Sequence, residues 1–215
     1  MVTQLIRSHI AQVLSVPNSD AVMRERIAQV VSGNGQALPP QAQAQIVEIV
    51  RGYVMGTVDL LDACAAASGR AGVAQFVMPL LDLAGRYFLA PQDYVPDGMG
   101  LLGLLDDAYL ARHLLAQISA LYQQNTGMAL IPVPLAADNA IVRTLIGEPL
   151  ASRLDQEVAS TIQSAVVQAS MNQMYGTPGG LGVSSPTGGP GAWGGCFEDE
   201  MARIGAECGI SINYE

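Results

Sequence analysis

The sequence predicts an all-α protein: a multi-helix bundle, then a flexible linker, then a short C-terminal amphipathic segment. Three observations predict it. Half of the 215 residues are hydrophobic but only 5% are aromatic, so Ala, Val, Leu, Ile and Met must build the core, as in closely packed helices. Apolar residues recur at three- and four-residue spacing along most of the chain. Period-two alternation is confined to the end, in GISINY, where Ile210, Ile212 and Tyr214 share one face.

The elements follow in order. Thr3 to Val16 carries Ile6, Ile10, Val13 and Leu14 on one stripe and stops at Pro17. Ser19 or Asp20 then caps a second helix whose inner face holds Met23, Ile27 and Val30. SGNGQALPP is dense in turn residues and reads as a loop. A long helix is expected from about Pro40 to Ala67, burying Ile46, Ile49, Val50, Tyr53, Val54, Leu60, Leu61 and Cys64. Within it Gly52 and Gly56 leave room for a close neighbour. The next helix runs from about Val73 to Phe88, with Pro79 as a kink or restart. A helix from about Gly98 to Gln124 is apolar nearly all round, which predicts a central position. Ala140 to Ile146 gives a short helical piece. Pro149 then sits in the first turn of a last long helix, with Leu154, Val158, Ile162, Val166 and Met174 on one side. The expected organisation is a bundle over residues 1–175, a Gly/Pro/Ser linker over 176–195 and a docking segment over 196–215.

Composition excludes several chemistries. The chain has no lysine, so Schiff-base mechanisms and the lysine-bearing phosphate loop are impossible. A net charge of −9 and a pI of about 4.5 oppose nucleic-acid phosphates and anionic membranes. The expected partners are another protein, a second copy of the chain, or a cation, with no nucleic acid. Three cysteines, Cys64, Cys196 and Cys208, form no CxxC zinc pattern, and Cys64 reads as a small buried hydrophobe. Arg7 and His9 interrupt the apolar run a secretion signal needs, so a reduced, cytoplasmic setting is expected.

The segment from Ala90 to Leu115, APQDYVPDGMGLLGLLDDAYLARHLL, concentrates the polar chemistry. Pro91 and Pro96 impose turn geometry, and Asp93 can accept backbone donors there. Asp97 stands at the expected N-cap of the following helix, and Gly98, Gly100 and Gly103 clear its first turns for another backbone. Asp106 and Asp107 interrupt an apolar helix, so each needs a partner or a cleft. Arg86, Tyr87, Arg112 and His113 are the candidates. His9 is expected to be solvated.

The run YFLAPQDYVPDGMGLLGLLDDAYL resembles the DUF1232, or YkvA-like, family. Its hallmark is a P-x-D-x-x-P-D turn, an apolar stretch with glycine, and a paired Asp-Asp. Pro91, Asp93, Pro96, Asp97, Gly103, Asp106 and Asp107 occupy those places, over about residues 73–115, and the hairpin is drawn to about 124. Gly98 stands where the family usually carries a bulky apolar residue. The resemblance implies a small helical module, sometimes membrane-associated, and no catalytic residues.

Two readings of the aspartates compete. As ligands, Asp93, Asp97, Asp106 and Asp107 would suit Mg, Mn or Ca and a metal-dependent enzyme. As structural groups, they cap, turn and pair within the fold, which is the reading preferred. No G-x-S-x-G or Cys–His arrangement accompanies His9 or His113, so no catalytic residue is assigned.

The C-terminus is more informative. Phe197, Met201, Ile204 and Cys208 fall at i, i+4, i+7 and i+11, a single apolar stripe, and Trp193 adds an aromatic anchor. A segment so short does not fold alone. It is expected to dock on its own bundle or on a partner, as part of a non-enzymatic adaptor or assembly protein. Peripheral membrane contact is the third possibility, disfavoured by the missing basic face.

Overall fold

In a computed structural model of the chain, residues 2–33, 38–90, 95–133 and 135–175 are described. Among these residues every regular element is helical: α1 (Val2–Leu14), α2 (Ala21–Gly33), α3 (Pro40–Arg70), α4 (Ala74–Phe88), α5 (Leu101–Thr126), α6 (Leu135–Ile146) and α7 (Leu150–Tyr175). A single 3-10 turn, Asp97–Met99, precedes α5. The docking segment and linker, with Trp193, Phe197, Met201, Ile204 and Cys208, lie outside the described residues, as do Pro91 and Asp93. No helix among the described residues is long and apolar enough to cross a membrane.

α5 is the axis. It packs against each of the other six helices. Its leucines at 101, 104, 105, 114 and 115, with Ile118, are almost wholly buried. α3 and α4 cover one side through Val47, Val54, Leu61, Val77, Leu81 and Phe88. α1 and α2 contribute Ile6, Ile10, Met23 and Ile27 to the same continuous cluster, and α7 contributes Leu154 and Val158. A helix apolar on most faces stays ordered only inside such a jacket.

The boundaries differ from expectation for identifiable reasons. α3 runs on to Arg70, because the small residues of ASGR keep the helical geometry until Gly72. At φ 70°, Gly72 lets the Val73 amide return to the Ser68 carbonyl at 3.0 Å and close the helix end. α4 is one continuous helix through Pro79, which sits on its exposed side, so it does not restart there. α5 starts at Leu101, not Gly98, and Asp97 is not its N-cap. The cap position is Gly100, at φ 68° and ψ −128°, with no side-chain cap bond. The Leu101 amide instead donates to the Ser19 carbonyl at 2.8 Å, so a carbonyl from the α1–α2 connection satisfies it. A Cβ on Gly100 would collide with that same carbonyl.

α6 starts five residues earlier than the expected Ala140. Asp138 and Asn139 look like turn residues, but their side chains bond distant partners and leave the local backbone to the helix. α7 matches expectation in its inner half only. Ala151, Leu154 and Val158 are buried, Ile162 and Ala165 are half-buried, and Val166 is exposed. Ala165, not Val166, packs against the core at this level, because four-residue steps drift around the helix.

Candidate functional site

Two polar groups meet α5. The first is sealed. Arg112 sits between α3 and α6, its side chain 8% exposed. Its Nε donates to Thr57 Oγ1 at 3.0 Å, Nη2 to the Tyr53 carbonyl at 3.0 Å, and Nη1 to Asp138 Oδ2 at 3.1 Å. The guanidinium also lies 3.9 Å above the centre of the Tyr53 ring. Gly56 makes this possible, because a Cβ there would meet Arg112 Nη2 at 3.1 Å. Gly52, its expected companion, faces open space. The Tyr53 hydroxyl is 2.6 Å from the Asn139 carboxamide. With its nitrogen turned to Tyr53, that carboxamide also donates to the Leu135 carbonyl at 3.3 Å and accepts from the His113 amide at 3.2 Å. Burial draws the Arg112 pKa down, and Tyr53 and Asp138 oppose it; burial pushes the Tyr53 phenol up.

The second group lies at the α5–α6–α7 junction. The Tyr109 hydroxyl donates to Asp155 Oδ1 at 2.5 Å, and Arg143 Nε donates to Asp155 Oδ2 at 3.0 Å. Arg143 also pairs with Glu148 at 2.6 Å and donates to Ser152 Oγ at 3.1 Å. His113 stacks on Tyr109, with ring centroids 5.8 Å apart, and its Nε2 is 3.8 Å from Asp155. Burial is the main reason the Tyr109 pKa is raised, with Asp155 second. Burial also holds His113 below its ordinary value, against the pull of Asp155. Both oxygens of this carboxylate are committed, one to a phenol and one to a guanidinium, so the cluster ties α7 to α5 and α6.

The signature residues separate. Asp106 and Asp107 are fully buried in α5, and each has a polar or electrostatic contact within the protein. Arg112 and His113, expected as their partners, are committed to Asp138 and Asp155. Gly103 lets the turn fold onto the helix: a Cβ there would lie 2.7 Å from the Pro96 carbonyl. Asp97 is on the other side of that turn, its Oδ2 3.1 Å from His9 Nε2. His9 is therefore half-buried and paired rather than solvated. Around this pair is a cleft of about 370 Å³, lined by Gln12, Val13, Val16 and Asn18 from the α1 end and by Met99 from the turn. Asn18 holds a left-handed φ of 61° in that rim. Among the described residues no group of three or more His, Cys, Asp or Glu is placed to hold a metal ion. Asp93 lies outside that statement.

Sequence reading missed His9, Tyr53, Thr57, Asp138, Asn139, Arg143 and Asp155 as members of polar groups. One signal was legible: Asp138 and Asn139 interrupt the apolar run ALIPVPLAADNAIV, as Asp106 and Asp107 interrupt theirs. Compared with known proteins, the chain matches no family model, no curated protein and no solved structure.

Proposed function

We propose that the chain is a non-enzymatic assembly or adaptor protein, a rigid helical body carrying a C-terminal docking segment. The observation that carries this reading is the commitment of the polar side chains on α5. Asp106, Asp107, Tyr109, Arg112 and His113 are all engaged inside the body, and none lines the cleft beside His9. Catalysis needs groups held near a reacting atom, and these are spent on cohesion. The tail stripe of Phe197, Met201, Ile204 and Cys208 is the feature left over for recognition.

The DUF1232-like character of the hairpin belongs to the same proposal. Its support is that α4, the 3-10 turn and α5 form a packed hairpin closed at Gly103. A reduced, cytoplasmic setting is supported by an odd number of cysteines with no CxxC spacing, and binding to nucleic acid is opposed by the acidic charge.

The cation reading of Asp93, Asp97, Asp106 and Asp107 requires two fully buried carboxylates and one facing His9 to converge. Calorimetric titration with Mg²⁺, Mn²⁺ and Ca²⁺ is expected to give no heat of binding. Micromolar binding lost in Asp97→Asn would replace the assembly reading with a metal-dependent one. A chain ending at Tyr175 is expected to keep its helicity while losing any partner the full chain retains at native concentration.

A further inference from the structure

Cover thins along α7. Leu154 and Val158 are 0% and 2% exposed, Ile162 and Ala165 are half-buried against the core, and Val166 and Val167, turned away from it, are 39% and 50% exposed. This outer half carries no charge: the last charged residue is Glu157, and the next in the chain is Glu198. An exposed helix half with valines and no charged face is incompletely covered.

We infer that the chain's own C-terminal segment covers it, with the Phe197–Cys208 stripe lying along Ile162, Val166 and Ala169. This rests on the reading of residues 196–215 as a docking segment and names its seat. Length, position and charge argue for that occupant. The outer half of α7 from Ile162 is about 20 Å long and the tail stripe about 18 Å, at helical rise. The tail leaves from the end of this same helix, and a Gly-rich tether of roughly twenty residues reaches about 25 Å. A site within that radius meets the tail at an effective concentration that an untethered copy does not match. The tail is acidic, with Glu198, Asp199, Glu200, Glu207 and Glu215 against Arg203, and the body is acidic as well. The uncharged half of α7 receives such a segment without like-charge repulsion.

The test uses the full chain and its single tryptophan, Trp193, which lies four residues before Phe197. Val166→Asp and Met201→Asp disturb the two sides separately. Each is expected to red-shift the Trp193 emission and to raise acrylamide quenching about twofold or more, the change of an indole moved into water. Helicity by circular dichroism stays unchanged, because Val166 is exposed in the body. Proximity is read by a short bismaleimide between Cys208 and Ser170→Cys, exposed one turn beyond Val166, in a chain also carrying Cys196→Ser. Buried Cys64, whose thiol is pushed up to about 12 by burial, does not compete. An intramolecular cross-link in the monomer is the expected result. A cross-link found only between two chains overturns the inference but leaves the docking reading standing. A Trp193 as quenchable in the parent chain as in a short peptide overturns the inference and leaves docking on a separate partner as the reading. A tail shielded equally in the parent and in Val166→Asp places the seat elsewhere and overturns the inference alone.

Discussion

α5 and α7 are both 26 residues long, yet the protein uses them in opposite ways. α5 buries sixteen of its residues, including two aspartates and an arginine. α7 fully buries Ala151, Leu154 and Val158, and beyond them only half-buries Ile162 and Ala165 among its described residues. The difference lies in where each puts its polar atoms. α5 takes carboxylates and a guanidinium out of water and must answer each with a partner. α7 places its charges, Arg153, Asp155 and Glu157, in the first turns, where Asp155 anchors it to Tyr109 and Arg143. Beyond them it has no charge to answer, and among its described residues its hold on the body weakens from buried Val158 to half-buried Ile162 and Ala165. A rigid axis and a loosely covered arm follow from that distribution.

The largest effect is expected where the axis is most committed. Arg112→Ala takes the guanidinium away from buried Asp138, Thr57 and the Tyr53 carbonyl and should cost about 3–5 kcal/mol in urea denaturation. Replacing Arg112 and Asp138 together with apolar residues of similar volume should recover much of it; no recovery would mean that Thr57 and Tyr53 depend on the guanidinium more than Asp138 does. Next comes the turn. Gly103→Ala forces the Pro96 carbonyl to move and should cost on the order of 1–3 kcal/mol, whereas Gly98→Ala, which meets open space, should change stability by less than about 0.5 kcal/mol.

A pH series probes the junction between the two helices. His113 is held below its ordinary value of 6.5, chiefly by burial, so the unfolded chain takes up its proton first as pH falls. Its contribution is therefore complete above that value and is lost as pH drops through it toward the lower folded value. The unfolding midpoint should fall over this range, and His113→Gln should flatten that part of the curve. The smallest effect belongs to the arm: Val167→Ser should shift the global denaturation free energy by less than about 0.5 kcal/mol.

The helices were legible because their periodicity is local. Ile6/Ile10, Met23/Ile27 and Leu154/Val158 report an apolar stripe wherever the chain goes next. The start of α5 was not, because Ser19 sets it: nothing near Gly98 or Gly100 announces a carbonyl from the other end of the fold. The same holds for the long-range polar contacts. Asp106, Asp107, Arg112 and His113 could be marked as groups in need of partners, but Arg112–Asp138 and His9–Asp97 are choices among distant candidates, and spacing along one helix does not make them. Val166 shows the converse limit. Four-residue steps from Leu154 drift around the helix, so it is Ala165 and not Val166 that packs against the core.

The bond from the Leu101 amide to the Ser19 carbonyl has a consequence for how the chain comes together. The hairpin of α4 and α5 looks portable, but the first turn of α5 is completed by a strand of backbone synthesised long before it. An excised piece spanning only residues 73–124 would leave that amide to water and Gly100 without its abutment. In the whole chain, closing so large a loop is entropically demanding, so this joint should form late, after the hairpin has condensed on α3.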